Sequence, residues 1–427
     1  MDKQTATQLI GNTFNYPFDE GRFRNFAINL LNNVDEAKRF DYISGTYIRH
    51  SFKNHISKYK RLGTYTDPNG DKIDVLVVQL KNEWALERSR TMLRNFTSDY
   101  LKNRDEKDAA LVAYYTSNPE DWRFSYIRME YKRVQTESGK FKIKEDITPA
   151  KRYSFLVGKN EPNHTAQAQL VGMLSDDRNN PTLTELETAF SVDAVTKQFY
   201  KDYRAQFEKL WSELNDIVTK DPKIAEEFET KTIATANFAK KLMGQIVFLY
   251  FLQKKGWMGV GKDESGNFKE WGTGPKNFLH RLFKKEFTDY GNFFNDVLEP
   301  LFYEALATER TNDVFTHFNC KIPFLNGGLF EPINDYNWEE TDIRIDNDLI
   351  GDVFKTFDQY NFTVREDEPL EKEVAVDPEM LGKVFENLLP ENLRKGQGAF
   401  YTPRAIVHYM CQESLINYLY TECEPAP

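Results

Sequence analysis

The sequence has few of the residues and runs that mark secreted, metal-binding or membrane proteins. Its 427 residues include only three cysteines, Cys320, Cys411 and Cys423, which have no metal-ligand spacing and form no even disulfide set. No apolar run reaches the roughly 18 residues of a membrane span. The start MDKQTATQLIG lacks the basic and apolar blocks of a secretory signal. We therefore expect a protein of the reducing cytoplasm that does not bind membranes.

Positive charge is scarce overall but concentrated in one region. Lys and Arg number 56 against 66 Asp and Glu, a net charge of −10 that argues against indiscriminate coating of nucleic acid. Residues 38–61 nevertheless contain a single acid, Asp41. Surface arginines that pair with Glu87 or Asp99 remain an alternative to phosphate contact. The candidates for binding double-stranded DNA are Lys58, Lys60, Arg61, Arg88, Arg90 and Arg94.

Hydrophobic periodicity predicts an α/β domain with a mixed sheet over residues 1–180. The runs KYKRLGTYT and KIDVLVVQLK, separated by loop-forming residues at 67–71, indicate a β-hairpin whose second strand is buried. A helix over Trp84–Leu101 follows. Further strands are predicted over Ala109–Tyr115, Trp122–Val134 and Lys151–Gly158.

From about residue 182 the pattern becomes helical. The run TIATANFAKKLMGQIVFLYFLQKK predicts a helix that ends at Gly256, with lysines in its last turn. We therefore expect a mainly α-helical domain over residues 181–395, followed by an amphipathic helix after the segment GAFYTP at 398–403.

The hairpin carries a weak form of a magnesium-nuclease pattern. PD-(D/E)xK nucleases hold the metal with an acid near the start of a hairpin and an acid-x-Lys set on the next strand. Here the candidate catalytic residues are Asp74, Gln79 and Lys81, with Asp67 and Asp74 as candidate Mg²⁺ ligands. Alternation along a strand puts Gln79 and Lys81 on one face and Asp74 on the other. A plain hairpin with turn aspartates and a solvated lysine stays open.

Four spaced motifs resemble type IIG restriction-modification enzymes. They are IVFLYFLQKKGW, PFLNGGLFEP, YNFTVRED followed by VDPEMLGKVFENLL, and GAFYTP. The family joins an endonuclease, a helical connector, an N6-adenine DNA methyltransferase and a target-recognition region in that order. The resemblance implies a PD-(D/E)xK nuclease-like or DNA-contacting domain over residues 1–180, a connector over 181–395, and the start of a Rossmann-like methyltransferase over 396–427.

The GAFYTP segment implies part of a site for S-adenosylmethionine. By the resemblance, Phe400, Tyr401, Thr402 and Pro403 line the methionine end of the cofactor, and Gly398 lets the backbone approach it. Thr402 and Pro403 can also simply start the next helix. The sequence contains neither the glycine-rich loop nor the NPPY-like tetrapeptide of such enzymes. We therefore expect that this chain alone does not methylate DNA.

These observations together predict the N-terminal portion of a restriction-modification protein. It would bind DNA and, if the nuclease-like domain is active, cleave it with Mg²⁺, coupled in the full-length protein to adenine methylation. Its partners would be double-stranded DNA and the remainder of the methyltransferase and target-recognition region, in cis or as a separate chain. Two alternatives stay open: a non-nucleolytic phage-defence methyltransferase whose N-terminal domain only binds DNA or partners, and a stand-alone DNA-binding or scaffold protein.

Overall fold

A computed structural model gives the structure of most of the chain. It describes residues 1–103, 107–129, 132–135, 141–144, 150–176, 178, 180–325, 327–364, 370–380, 382, 402 and 404–423. These residues form two compact units, Met1–Asp377 and Pro378–Pro427. The predicted strand-rich region, and residues 181–377 of the predicted helical region, therefore lie in the first unit.

Two helices open the chain, and each begins at an aspartate cap. They are α1 (Lys3–Phe14) and α2 (Glu20–Leu31). The Asp2 carboxylate accepts a hydrogen bond from the N–H of Thr5 at 2.9 Å, and Asp19 accepts one from Arg22 at 2.8 Å. These caps satisfy N–H groups that have no partner within the first helical turn.

An eight-stranded mixed sheet forms the centre of the first unit. The strands of the chain are β1 (Val34–Asp35), β2 (Phe40–Ser44), β3 (Ile56–Thr66), β4 (Lys72–Leu80), β5 (Ala109–Tyr115), β6 (Asp121–Met129), β7 (Lys132–Gln135), β8 (Phe141–Lys144), β9 (Ala150–Gly158), β10 (Val314–Phe315), β11 (Cys320–Lys321) and β12 (Glu371–Glu373). The order across the sheet is β1-β3-β4-β5-β6-β9-β12, and β2 also pairs with β3. Strands β7 and β8, and β10 and β11, form two separate antiparallel pairs.

The strand directions bring the carboxyl ends of several strands to one side of the sheet. Strand β4 is antiparallel to β3 and parallel to β5. Strand β6 is antiparallel to both β5 and β9, and β12 is parallel to β9. Strands β4, β5, β9 and β12 therefore all run in the same direction. We call the side on which they end the carboxyl edge; ligands of open α/β sheets commonly bind at such an edge.

Helices cover both faces of this sheet. Between β4 and β5 the chain forms α3 (Ala85–Arg88) and α4 (Arg90–Lys102). The buried cluster on the α4 face includes Leu76, Val78, Leu80, Leu93 and Phe96. On the opposite face, Phe14 of α1 lies 5.5 Å from Trp122, and Phe26 of α2 lies 5.4 Å from Phe124, between ring centroids. Burial of these rings fixes α1 and α2 on the sheet.

The remaining described helices follow β9, as the periodicity predicts. They are α5 (His164–Ser175), α6 (Leu183–Ala189), α7 (Val192–Lys220), α8 (Pro222–Thr230), α9 (Thr235–Lys254), α10 (Phe278–Phe283), α11 (Asn347–Phe357) and α12 (Arg404–Cys423). Residues Phe294–Leu298 and Pro300–Leu306 are π-helical. Short 3-10 turns occupy Glu36–Lys38, Gly45–Tyr47, His50–Phe52, Thr311–Asp313, Thr316–Phe318 and Ile333–Asp335. None of the described helices combines the length and the apolar character needed to cross a bilayer.

The predicted hairpin, the strand over Ala109–Tyr115 and the end of α9 at Gly256 are confirmed. Two predicted boundaries are wrong. The helix expected over Trp84–Leu101 is interrupted at Ser89, which separates α3 from α4. The strand expected over Trp122–Val134 ends at Met129, so β7 is a separate element.

Candidate functional site

Asp67, a predicted metal ligand, organises the hairpin turn. Its carboxylate accepts hydrogen bonds from the backbone N–H groups of Asn69 at 2.8 Å, Asp71 at 2.9 Å and Leu183 at 3.2 Å. The residue is buried. Its oxygens thus hold the turn closed and connect it to the first turn of α6, which is a structural role typical of aspartate in turns.

Asp74, the second predicted metal ligand, is completely buried under α4. It accepts hydrogen bonds from Thr64 Oγ1 and the Tyr100 hydroxyl, both at 2.7 Å, and from Arg61 Nη1 at 3.1 Å. An ionised carboxylate can accept about four hydrogen bonds, so most of its acceptor capacity is used inside the protein. Arg61, predicted to bind DNA, is the ion-pair partner of this carboxylate.

The structure does not bring Asp74 together with Gln79 and Lys81. The continuous register of β4 with β5 from Ile73 to Gln79 means that side chains alternate without a break. Gln79 and Lys81 therefore lie on the face opposite Asp74, and Gln79 lies roughly 16 Å farther along the strand at about 3.3 Å per residue. Within the described residues, no three His, Cys, Asp or Glu side chains are placed to hold one metal ion.

Gln79 instead belongs to a second group of polar residues at the carboxyl edge. Its register partners are Lys58 on β3 and Tyr115 on β5, so these three residues are neighbours across the sheet. Lys60 lies two residues from Lys58 and therefore shares its face. We call the following set the strand-end cluster: Glu20, Tyr42, Lys58, Lys60, Gln79 and Tyr115.

Helix α2 contributes the acid of this cluster. Glu20, in the first turn of α2, forms an ion pair with Lys60 and accepts a hydrogen bond from the Tyr42 hydroxyl at 2.9 Å. The hydroxyls of Tyr42 and Tyr115 are 3.3 Å apart, and Lys58 Nζ lies 4.0 Å from the centroid of the Tyr42 ring. The cluster thus combines one carboxylate, two lysines and two phenols on one surface.

Burial fixes the protonation of the two tyrosines. It raises the pKa of Tyr42, and the hydrogen bonds to Tyr115 and Glu20 raise it further. Burial also raises the pKa of Tyr115. Both phenols are therefore neutral hydrogen-bond donors at physiological pH, and Tyr42 keeps Glu20 in place beside Lys60. The surface is suited to contacting phosphate oxygens through lysines and hydroxyls.

The arginines predicted to bind DNA from α4 point inward. Arg90 and Arg94 are only 7% and 5% exposed, so they do not form a solvent-exposed stripe. Arg90 forms an ion pair with Glu373, and Arg94 Nη1 lies 3.3 Å from Glu371 Oε1. The Arg88 side chain lies outside the described part of the structure. DNA contact by these arginines stays a prediction.

Two further arginines, from the sheet, converge on the same carboxylates. Arg123 Nη1 of β6 lies 3.2 Å from Glu373 Oε1, and Arg152 Nη2 of β9 lies 4.0 Å from Glu371 Oε2. Burial lowers the pKa of Arg152, and Glu371 opposes that shift. We call the six residues the arginine–glutamate cluster: Arg90, Arg94, Arg123, Arg152, Glu371 and Glu373.

A polar cleft of about 710 Å³ also opens at the carboxyl edge, where Lys159–Pro162 meet α9 and α10. Its walls contain the ion pair of Lys254 Nζ with Glu161, at 2.5 Å, and the hydrogen bond from Tyr250 to Asp358, at 2.8 Å. These side chains are already paired with one another by an ion pair and a hydrogen bond. The cleft therefore forms a polar boundary between the sheet and the helices.

The predicted cofactor residues Gly398, Phe400, Tyr401 and Pro403 lie outside the described residues. Thr402 is described and is exposed. Helix α12 follows and exposes apolar side chains along its length, including Tyr409 at 62%, Leu415 at 59% and Tyr420 at 68%. An apolar surface of this kind is typical of a segment that packs against further protein.

Sequence reasoning missed Glu20, Tyr42, Tyr115, Glu371 and Glu373 as members of the two clusters. The spacing of Lys58 and Lys60 on one strand indicated a shared face. The acids gave no such signal, because Glu20 lies on a helix and Glu371 and Glu373 are more than 200 residues from their register partners Arg152 and Ser154.

Comparison with known proteins identifies one informative relative. The chain is 31% identical over 250 residues to a protein of Methanocaldococcus jannaschii whose provisional name describes it as a type II restriction enzyme and methyltransferase. The match covers 52% of this chain and 19% of the relative, so the chain spans only a small part of that protein. No protein-family model matches the chain. No solved structure matches it.

Proposed function

We propose that this chain is the DNA-contacting front portion of a restriction-modification protein. In this proposal the sheet, with its covering helices, meets the phosphate backbone of double-stranded DNA at the carboxyl edge, and the helices after β9 form the connector. The second unit is the beginning of an N6-adenine methyltransferase. The similarity to the archaeal relative, which covers about half of the chain, is the observation that carries the proposal.

The strand-end cluster supports DNA contact at the carboxyl edge. Lys58 shares a face of β3 with Lys60, which is paired with Glu20, and Lys81 is exposed just beyond the end of β4. Lysines on a common surface neutralise phosphates and release counterions, which supplies most of the affinity of non-specific DNA binding. The carboxylate of Glu20 is held by Lys60 and Tyr42 rather than left to repel the DNA.

The geometry favours DNA contact over magnesium-dependent cleavage by this part of the protein. Asp74 is engaged by three donors on the far side of β4, and Asp67 is engaged by three backbone N–H groups. The described residues therefore do not fit a Mg²⁺ site made of Asp67, Asp74 and Gln79, and we derive no catalytic step through a metal. This favours a non-nucleolytic N-terminal domain.

Binding of S-adenosylmethionine by the full-length protein is also part of the proposal. It rests on the GAFYTP sequence, in which Gly398 and the residues from Phe400 to Pro403 would line one wall of the pocket. The apolar surface of α12 would then pack against the remainder of the methyltransferase and the target-recognition region, in cis or as a separate chain.

Titration of a duplex with this chain over a range of salt concentrations tests DNA contact. We expect the double variant Lys58→Ala/Lys81→Ala to weaken binding to all sequences alike and to reduce the slope of log K against log salt by about 2. The matched control is Lys220→Ala/Lys223→Ala, two exposed lysines of the helical region. Equal losses in both variants, or binding that does not depend on salt, would overturn the proposed contact surface.

Cleavage by the full-length protein needs its own test, the variant Lys81→Ala assayed with Mg²⁺. We expect magnesium-dependent cleavage, where the parent protein shows it, to persist in this variant at a rate reduced only by weaker DNA binding. Loss of cleavage at saturating DNA would instead establish the first domain as the nuclease.

A further inference from the structure

Strand β12 places two carboxylates among four arginines. Glu371 and Glu373 alternate with Lys372, so both point to the α4 side of the sheet, where Arg90 and Arg94 meet them. All six members of the arginine–glutamate cluster are between 1% and 7% exposed. Two of the residues predicted to bind DNA, Arg90 and Arg94, thus contact acids from a distant part of the same chain.

β12 lies at an edge of the sheet. It is three residues long, it is the last strand in the order, and it pairs with β9 only. Its departure would make β9 the edge strand and would uncover Arg152 together with the adjacent end of α4. Short parallel edge pairs are among the weaker parts of a sheet.

The sequence around β12 is strongly acidic. Residues 366–379 contain a single basic residue, Lys372. The acids of this stretch are Glu366, Asp367, Glu368, Glu371, Glu373, Asp377 and Glu379. Carboxylates two residues apart on a strand are separated by roughly 6.6 Å, so β12 presents two negative groups at this spacing to the arginines.

The carboxylates satisfy the arginines only in part. Among the described residues, Arg94 Nε and Arg152 Nε are buried without a hydrogen-bond partner. Phosphate oxygens accept paired hydrogen bonds from guanidinium groups in a planar fork. Buried ion pairs also add little net stability, because desolvation offsets most of their attraction. The cluster sets four guanidinium groups against two carboxylates, and this excess of positive charge suits the site to an anion.

We propose that β12 is an internal mimic of nucleic acid that occupies a site for DNA phosphates formed by Arg90, Arg94 and Arg152. DNA and β12 compete for this site, and it is masked while β12 is paired with β9. This inference rests on the proposed function in one respect, which is that the nucleic acid is double-stranded DNA. It adds a second phosphate site, which is closed while β12 is paired. β12 ends five residues before Pro378, where the second unit begins.

Neutralising β12 tests the competition. In the full chain, Glu371→Gln/Glu373→Gln keeps the size of both side chains and removes their charge. We expect at least about a tenfold gain in duplex affinity at moderate salt, and a slope of log K against log salt steeper by about 2, since each added phosphate contact contributes about 0.9. Adding Arg90→Gln/Arg94→Gln to the same chain should remove that gain.

A control variant, Glu339→Gln/Glu340→Gln, changes the net charge equally at two exposed positions. A similar gain in this control, or a gain that survives loss of Arg90 and Arg94, would overturn the inference. If the unaltered chain binds DNA and Glu371→Gln/Glu373→Gln binds no more tightly, the competition is overturned while the proposed DNA contact stands. If neither protein binds the duplex, the proposed DNA contact fails with it.

Hydrogen exchange on the unaltered chain gives a readout that does not depend on the stability of a variant. Saturating duplex should increase amide exchange at 371–374 while exchange in β5 and β6 stays slow. Increased protection of β12 in the presence of DNA would contradict the competition.

Discussion

Asp74 accepts hydrogen bonds from two residues of β3 and one of α4, and none of its surface reaches solvent. Its position near the start of a hairpin strand matched the acid of a nuclease pattern. Burial gives it a different role, since a carboxylate surrounded by donors holds elements together. Period-two alternation was sufficient to predict that it faces away from Gln79, but its donors became visible only in three dimensions.

Replacement of Asp74 by Asn separates the structural role from a metal-binding one. We expect Asp74→Asn to lower the free energy of unfolding by about 2–4 kcal/mol, because it leaves the Arg61 charge and a buried hydroxyl poorly paired. Urea denaturation measures the change. The exposed neighbour variant Asp41→Asn should have almost no effect. Unchanged stability together with loss of Mg²⁺-dependent cleavage in the full-length protein would restore the metal-ligand interpretation.

Glu299 provides a residue-scale prediction of pH dependence. It is fully buried between the two π-helical segments, and burial raises its pKa from 4.5 to about 9. The Tyr336 hydroxyl donates to it. Because the folded-state pKa is raised, the unfolded chain binds fewer protons between pH 4.5 and about 9. Its contribution to stability is therefore complete below this window and is lost as the pH rises through it.

We expect Glu299→Gln to make the urea midpoint less dependent on pH across this window. The difference between variant and parent should grow with pH by up to about 1.4 kcal/mol per unit. The exposed Glu304→Gln in the same segment is the control. Parallel pH profiles for Glu299→Gln and the parent protein would show that Glu299 is ionised in the folded state.

At the scale of elements, local sequence signals were sufficient to predict the strands and turns whose formation depends mainly on their own residues. The β-branched run of β4 and the apolar run of β5 predicted buried strands. Asp67 and Gly70 marked the turn between β3 and β4. The break at Ser89 has no such signal, because neither Gly nor Pro occurs there, and tertiary packing of α4 against the sheet decides it.

The end of α9 provides an element-scale prediction. Gly256 has φ of +69°, and a Cβ atom there would overlap the backbone of Gly272. We expect Gly256→Ala to destabilise the protein by about 1–3 kcal/mol through strain and overlap. Gly261→Ala is a matched control, because it has open space around its Cβ position. Equal unfolding midpoints for the two variants would be inconsistent with a requirement for glycine at position 256 after α9.

At the scale of the whole molecule, the return of the chain to the sheet is what the sequence could not predict. β12 reads EKE, three residues with low strand propensity, and it joins β9 after an intervening helical region of more than 200 residues. Pairing of this kind depends on buried charge rather than on an apolar pattern.

Only the basic residues of the candidate site were predictable from the sequence. The lysine-rich segment around Lys58 and the arginines of α4 could be identified from charge distribution alone. The acids that restrain them, Glu20, Glu371 and Glu373, come from other elements, and their roles follow from the fold. The charge pattern therefore predicts a region for DNA contact, while the structure determines which of its cations are exposed.

Hydrogen exchange in the presence of DNA maps the surface of this chain that contacts the duplex. With a saturating duplex, we expect slowed exchange at His55–Lys60 and at Lys81–Trp84, because these segments carry the lysines of the carboxyl edge. Lys58→Ala/Lys81→Ala should lose this protection, whereas Lys220→Ala/Lys223→Ala should keep it. Protection confined to the helices α7–α9, or no protection anywhere at saturating DNA, would contradict a DNA-contacting sheet.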